Sequence, residues 1–180
     1  YKVKINAATT LENVNSLKEE AYSKMDEYEA DPFGKLREEA QIAFDKMCAA
    51  SRKDGISIHG GSGYRSYSHQ LNLYNNYVAV DGKAEADTYS ARAGHSEHQT
   101  GLAFDILTLN ATTENFEKTK EFEWLKENSY KYGFIMRYPK DKQDITKVIY
   151  EPWHWRYVGV ELAKELKDTG LVLEEYFGLA

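Results

Sequence analysis

An aspartate inside an apolar run constrains the fold of this 180-residue chain more than any other feature. Residues 102–109, with the sequence LAFDILTL, predict a β-strand, and Asp105 stands inside it. Burying a carboxylate is costly unless it is paired or bound to a metal. Asp105 must therefore face outward or meet a positive charge, and a zinc ion shared with His98, seven residues earlier, is the nearest candidate.

A second stretch, residues 151–157, supplies another histidine and another carboxylate. Catalytic zinc sites use three protein ligands and leave one position open for water. His98, Asp105 and His154 make three, and Glu151 is then available as a base beside the metal. The spacing is not that of the HExxH helix signature, and a lone histidine is more often structural than a ligand, so spacing alone leaves zinc an open hypothesis.

Composition limits the kinds of partner. The net charge of −6, from 23 basic and 29 acidic residues without a basic stripe, disfavours nucleic acid. No run approaches the roughly 18 to 20 apolar residues of a membrane span. The single cysteine, Cys48, cannot form an internal disulfide. We expect one monomeric domain. Because the chain starts at Tyr1 without a signal peptide, we expect a processed or trimmed form, and an upstream leader or anchor stays open.

The apolar periodicity predicts an α+β domain, with helices early and late around a small antiparallel sheet. A helical extension packed on the domain is predicted for residues 1–34, ahead of the domain proper at residues 35–180. We predict helices at residues 10–28, 35–52, 68–80, 114–132 and 160–166. Strands are predicted at residues 56–62, 102–109, 134–138 and 145–150, and a long loop at residues 84–94.

Three motifs in this order resemble those of the VanY-type D-alanyl-D-alanine carboxypeptidases, including the LdcB-like L,D-carboxypeptidases. They are SGYRS at residues 62–66 with Gln70 following, SxHxxGxAxD at residues 96–105, and EPWH at residues 151–154. The resemblance runs from about Lys35 to Gly159. It implies a single-domain α+β fold in which a small antiparallel sheet floors a zinc cleft with helices packed around it, as in Hedgehog signalling domains and lysostaphin-type endopeptidases.

The resemblance also implies roles for individual residues. His98, Asp105 and His154 become the ligands of one Zn²⁺ per chain, and Glu151 becomes the general base. His95, which adjoins the second motif, is not expected to be a ligand. The implied reaction is removal of the terminal D-alanine from peptidoglycan stem peptides, at the extracellular or cell-envelope face of a bacterium.

Arg65, Gln70 and Ser96 are the expected substrate contacts. The planar guanidinium of Arg65 suits a substrate carboxylate or a developing oxyanion, which also makes it a catalytic candidate. Each residue has a structural alternative: a surface salt bridge for Arg65, a helix-surface position for Gln70 and a loop cap for Ser96.

Three functions compete with the leading one, which is D,D-cleavage by a zinc carboxypeptidase. The first is L,D-cleavage of tetrapeptide stems, which differs in the chirality that the pocket reads. The second is a zinc-containing module that binds peptidoglycan without hydrolysis, although such a module would not need the base Glu151. The third is an endopeptidase that cuts cross-bridges, which would not need a carboxylate-binding arginine.

Overall fold

The computed structural model describes residues 36–108, 113 and 115–179. The predicted helix at residues 10–28 and the predicted extension at residues 1–34 lie outside this part of the chain. The described helices are α1 (Glu38–Lys53), α2 (Tyr67–Asp81), α3 (Lys83–Tyr89), α4 (Lys120–Asn128), α5 (Gln143–Thr146), α6 (Val160–Thr169) and α7 (Leu173–Tyr176). The strands are β1 (His59–Gly60), β2 (Ala103–Leu107), β3 (Phe134–Tyr138) and β4 (Glu151–Tyr157). None of the helices in these ranges is long and apolar enough to cross a membrane.

The four strands form one antiparallel sheet in the order β1-β2-β4-β3. Strand β2 pairs with β4 so that Asp105 lies opposite His154 and Phe104 lies opposite Trp155. Because successive side chains of a strand point to opposite faces, this register puts the polar pair on one face and the aromatic pair on the other. The α+β class and the small antiparallel sheet predicted from the sequence are confirmed.

The apolar face of the sheet carries the core. Phe104, Ile106 and Trp155 are buried in one cluster with Phe44 and Met47 of α1. The rings of Phe44 and Phe104 meet edge to face, with their centroids 4.4 Å apart. A Cβ atom on Gly60 would lie 2.1 Å from the Phe104 ring, so β1 can approach this core only with glycine at that position. Helix α1 and the core together hold the polar face of β2 and β4 in a fixed orientation.

The aspartate that conflicts with its apolar strand therefore lies on the face away from the core. Its side chain is only 14% exposed, however, because loop 61–66 covers it. Of the two alternatives set by the sequence, the structure shows the second: Asp105 is covered from solvent and meets the positive charge of Arg65.

Two predicted elements around the cleft are wrong. The predicted loop at residues 84–94 contains helix α3, which Gly82, with φ of +81°, separates from α2. Asp87 ties the two helices together by accepting hydrogen bonds from Tyr74 of α2 and Lys83 of α3. The short polar side chains that suggested a loop are therefore those of a brief helix stabilised by its contacts with α2.

The predicted strand at residues 145–150 is also wrong. Residues 143–146 form helix α5, and the chain then passes through Lys147, a non-glycine residue with φ of +61°. The β-branched residues that favoured a strand, Val148 and Ile149, lie in an irregular segment, where the Ile149 N–H donates to the Thr88 carbonyl. A contact with a segment 61 positions away overrides local strand propensity here.

The remaining differences concern boundaries. Regular strand pairing in the predicted strand at residues 56–62 is confined to β1. The described part of the predicted helix at residues 114–132 is interrupted at Thr119, whose hydroxyl accepts from the Phe122 N–H and starts α4 anew. The closing helix extends to Thr169. Pro152, which has no N–H to donate, lies in the inner strand β4 where its register with β3 shifts.

Candidate metal centre and active-site cleft

Loop 61–66 is bound to strand β2 through the main chain, and this contact forms one wall of the site. The Gly61 N–H donates to the Asp105 carbonyl at 2.7 Å, and the Asp105 N–H donates to the Ser62 carbonyl at 2.8 Å. The Arg65 N–H reaches the His98 carbonyl at 3.3 Å. Backbone hydrogen bonds therefore bring the first and second motifs together, independently of their side chains.

His98 lies in a single 3₁₀ turn, Glu97–Thr100, directly before β2. Its Nδ1 lies 2.7 Å from the Gly63 carbonyl oxygen. A carbonyl can only accept, so Nδ1 carries the proton and the lone pair is on Nε2, 3.2 Å from Arg65 Nη2. That lone pair faces the Asp105 carboxylate, with Nε2 3.5 Å from Oδ1. Burial lowers the pKa of His98, which favours the neutral imidazole that metals bind.

His154 approaches the same carboxylate from strand β4, with its Nδ1 3.3 Å from Asp105 Oδ1. The two imidazole rings are nearly perpendicular, with centroids 4.9 Å apart. One ligand atom from each of His98, Asp105 and His154 lies within 4.8 Å of the others, which makes this group able to hold a metal ion.

The donor set fits Zn²⁺. Asp105 Oδ1 is buried without a hydrogen-bond partner, and such an atom is costly unless a cation completes it. Two imidazole nitrogens and one carboxylate oxygen are ligands that zinc accepts, and three protein ligands leave one position open. The orphaned oxygen is the observation that separates a metal site from an ordinary cluster of polar side chains.

Charges around the triad of His98, Asp105 and His154 shift the pKa values of its members in opposite directions. Burial alone would raise the pKa of Asp105, but the close imidazole rings of His154 and His98 hold it well below its usual range. Burial alone would lower the pKa of His154, but contacts with Asp105 and Glu97 raise it to about 9. The carboxylate is therefore ionised, as a metal ligand must be.

Glu151, the predicted base, begins strand β4 and is buried beside the triad. Its Oε2 lies 3.7 Å from His154 Nδ1. Burial raises the pKa of Glu151 to about 7, despite the opposing effect of His154. A carboxyl group with a pKa near neutrality can both accept and return a proton at physiological pH, which is what a general acid–base residue needs.

Arg65 and Gln70 form a hydrogen-bonded pair on the other wall. Arg65 Nη1 donates to Gln70 Oε1 at 3.1 Å, and Arg65 Nη2 lies 3.3 Å from Asp105 Oδ2. Gln70 is almost fully buried, and its Nε2 donates to the Ala91 carbonyl at 2.6 Å. Arg65 therefore forms its ion pair inside the site, and Gln70 is not a helix-surface residue.

A cleft of about 480 Å³ is lined by all seven residues predicted from the sequence: Arg65, Gln70, Ser96, His98, Asp105, Glu151 and His154. Ser96 is buried at its wall and stands at the N-cap position of the 3₁₀ turn that follows, without a side-chain capping bond. The structure thus brings the three motifs into one cavity.

The sequence analysis missed a set of charged residues behind the triad. One carboxylate oxygen of Glu97, Oε2, lies 3.4 Å from His154 Nε2. The other oxygen, Oε1, lies within 3.0 Å of nitrogens of Arg137 and Arg156. Tyr138 places its ring against His154, with centroids 5.0 Å apart. One signal was present in the sequence: Arg156 follows His154 by two positions, so the two share a strand face.

A family model described as "VanY: D-alanyl-D-alanine carboxypeptidase" matches residues 34–160. The chain belongs to the VanY family. The family resemblance stated from the three motifs is therefore confirmed.

Relatives with the same architecture support this assignment. The putative carboxypeptidase YodJ of Bacillus subtilis is 48% identical over 145 residues, which cover 79% of this chain and 53% of the relative. The solved structure of the LdcB LD-carboxypeptidase is 47% identical, with a TM-score of 0.76, and the match covers 79% of this chain and 68% of that one. The chain spans about half the length of the curated relatives that it matches first.

A third relative was solved with metal bound. It is a mutant of a vancomycin resistance D,D-pentapeptidase VanY in complex with Zn(II), 38% identical, with a TM-score of 0.72 and coverage of 82% of this chain and 86% of that one. That relative binds zinc, and the donor set described above is one that zinc accepts, as expected for a VanY-family site.

Proposed function

We propose that this VanY-family protein is a zinc carboxypeptidase that removes the terminal D-alanine from peptidoglycan stem peptides. The observation that carries the proposal is the orphaned oxygen of Asp105, lying between two histidine nitrogens in a cleft that also holds a buried glutamate and an arginine. The names of the relatives support the substrate class.

His98, Asp105 and His154 would hold the ion. A bound zinc ion supplies Lewis-acid chemistry and a nucleophilic water at neutral pH. The chain's own contribution is to keep each ligand ready: Gly63 fixes the tautomer of His98, and Asp105 stays ionised between the two rings. These contacts involve residues of all three sequence motifs.

Glu151 would act as the general base. Its carboxylate lies next to the ligand His154, with Oε2 3.7 Å from Nδ1, so it would stand beside the ion and the water that the ion activates. It would accept the proton of that water and deliver it to the amine that leaves as the peptide bond breaks. A binding module without hydrolysis would not need this carboxylate, and burying it is costly.

Arg65 would recognise charge on the substrate. A carboxypeptidase must bind a free carboxylate, and the guanidinium fork can pair with it in bidentate fashion or stabilise the developing oxyanion. Gln70 holds Arg65 in place, and Ser96 lines the same wall. An endopeptidase acting on cross-bridges would have no terminal carboxylate to meet this cation.

Within this reaction class, we propose D,D-cleavage of pentapeptide stems, the activity named for the family model. L,D-cleavage of tetrapeptide stems is the second candidate. A specific observation favours it: identity to the LdcB LD-carboxypeptidase, at 47%, exceeds identity to the D,D-pentapeptidase, at 38%. Action on this substrate would place the protein at the extracellular or cell-envelope face of a bacterium.

Synthetic stems separate these possibilities. The zinc-loaded protein is incubated with a pentapeptide ending in D-Ala-D-Ala and with the corresponding tetrapeptide, and the products are weighed by mass spectrometry. Loss of one alanine from the pentapeptide alone supports D,D-cleavage, and loss from the tetrapeptide alone supports L,D-cleavage. Absence of cleavage of either stem, with zinc bound, would overturn the carboxypeptidase proposal.

A further inference from the structure

The metal ligand His154 is held from behind by a carboxylate. Its Nε2 lies 3.4 Å from Glu97 Oε2, while its Nδ1 faces Asp105. A carboxylate can only accept, so this contact keeps a ring proton on Nε2, and Nδ1 is the nitrogen that would bind a metal. The position of Glu97 therefore decides whether His154 presents the right nitrogen.

Glu97 is fixed in turn by two arginines from neighbouring strands. Its Oε1 accepts from Arg137 Nε at 2.9 Å, and the same oxygen lies 3.0 Å from Arg156 Nη1. The Glu97 carboxylate thus has one oxygen for His154 and the other for the two arginines.

Arg137 continues the chain of charges to the C-terminal segment. Its side chain is only 9% exposed, and its two terminal nitrogens both donate to Glu174, with Nη1 2.9 Å from Oε2. Bidentate pairs of this kind restrict the guanidinium to one plane. Glu174 belongs to α7, which lies beyond the residues 34–160 matched by the family model.

Helix α7 has its own separate attachment. Glu175 accepts from Lys142 Nζ at 3.0 Å and from the Val172 N–H at 3.0 Å, so it caps the helix and ties it to α5. Adjacent glutamates on one short helix therefore have different partners: one joins the path to the metal site, and the other anchors the helix. This difference supplies a matched control.

We propose that Glu174, acting through Arg137 and Glu97, is a positioning residue for His154 and so sets the metal affinity of the site. The inference rests on the zinc site of the proposed function. Without the Glu174 fork, a buried guanidinium would retain only one carboxylate partner and could turn toward solvent, which would release Glu97 and then the ring of His154. The C-terminal segment is then a structural part of the metal centre.

Metal affinity tests this directly, without turnover. Zinc is titrated into the metal-free protein in competition with a chromophoric chelator, and cobalt is added in parallel for its absorption spectrum. Loss of an outer partner of a metal-bound histidine costs about 10 to 100-fold in affinity, so Glu97→Gln should weaken zinc by that much. The loss of zinc affinity in Glu174→Gln should lie at the lower end of this range, at about 10-fold, and the cobalt spectrum should change.

The control is Glu175→Gln, which should leave zinc affinity and the cobalt spectrum unchanged. If Glu174 acts through Glu97, the double variant Glu97→Gln/Glu174→Gln should match Glu97→Gln alone within about twofold, because residues in one network do not act additively. Arg137→Lys, which keeps the charge but loses the fork, should reproduce Glu174→Gln and serves in its place if that variant does not fold.

Other outcomes overturn the inference. Equal losses in Glu174→Gln and Glu175→Gln would mean that α7 is merely loosened, and additive losses in the double variant would mean that Glu174 does not act through Glu97. If the unaltered protein binds zinc but Glu174→Gln binds it equally well, only this inference fails. If the unaltered protein binds no zinc, the proposed function fails first.

Discussion

The two histidines of the triad differ in their nearest charged neighbours, which define a cationic side at His98 and an anionic side at His154. On the His98 side, Arg65 Nη2 lies 3.2 Å from the ring, and the remaining ring nitrogen donates to a main-chain carbonyl. On the His154 side, Glu151 lies 3.7 Å from the ring, and the remaining nitrogen faces the Glu97 carboxylate.

This difference shows that two ligands of the same residue type are prepared differently. Burial lowers the pKa of His98, while surrounding carboxylates raise that of His154 to about 9 despite its burial. The cationic side suits the negative groups of a substrate, and the anionic side suits the base. We expect changes on the cationic side to affect mainly KM and changes on the anionic side to affect mainly kcat.

Metal removal should have the largest effect, because both sides converge on the ion. A chelator should abolish hydrolysis of the stem peptide. Zinc at about 1,000 times its Kd would add about 4 kcal/mol to the free energy of unfolding, which corresponds to about 8 to 16 °C in Tm for a chain of this size. Melting curves with and without zinc measure the shift in Tm. Activity that survives complete chelation would contradict a metal shared by the two sides.

Replacing the proposed base Glu151, on the anionic side, should have the second largest effect on activity. Glu151→Gln is nearly isosteric and removes no member of the proposed ligand set, so zinc should remain bound. We expect kcat to fall by about 10² to 10⁴-fold, because general-base catalysis contributes that much, with little change in KM. Steady-state kinetics and metal analysis check it.

His154→Ala is the comparison variant, since it should lose zinc and activity together. If Glu151→Gln also loses zinc, Glu151 is a ligand and the division between the two sides is wrong. Full activity in Glu151→Gln would place the base elsewhere.

The sequence allowed the proposed ligands and base to be predicted because each lies on a short motif. Asp105 interrupts an apolar strand and His154 follows Glu151 by three positions, so local spacing raised the zinc hypothesis, and the resemblance of the three motifs to the VanY family then implied the roles. The residues behind the triad could not be found in this way. Arg137 contacts Glu97 and Glu174 at separations of 40 and 37 residues, and only the folded sheet brings them together.

On the cationic side, Arg65→Ala should weaken substrate binding while zinc stays bound. Hydrogen bonds to charged groups contribute about 1.5 to 3 kcal/mol, so kcat/KM should fall about 10 to 150-fold, mostly through KM. Arg52→Ala, at an exposed arginine of α1, is the control and should behave as the unaltered protein. A fall confined to kcat would show that Arg65 serves the transition state rather than the substrate carboxylate.

The smallest effect should come from Gln70, which acts on the cationic side only through Arg65. Gln70→Met keeps the length of the side chain but loses the bond to Arg65 Nη1 and the bond to the Ala91 carbonyl. The bond to Arg65 is charge-assisted, but Arg65 itself remains in Gln70→Met, so only part of its contribution should be lost: about 0.5 to 1.5 kcal/mol, which is about a 2 to 10-fold fall in kcat/KM through KM. The matched control is Gln41→Met, at an exposed glutamine of α1 whose partner, Asp45, is also exposed.

The double variant Arg65→Ala/Gln70→Met separates positioning from direct contact. If Gln70 acts only by holding Arg65, the double variant should have the kcat/KM of Arg65→Ala alone, because the residue that Gln70 positions is already absent. If the two losses add, Gln70 contacts the substrate itself, as the family resemblance implies. The two results distinguish a residue that positions Arg65 from one that contacts the substrate. An effect of Gln70→Met on kcat alone would show that Gln70 does not contribute to substrate binding.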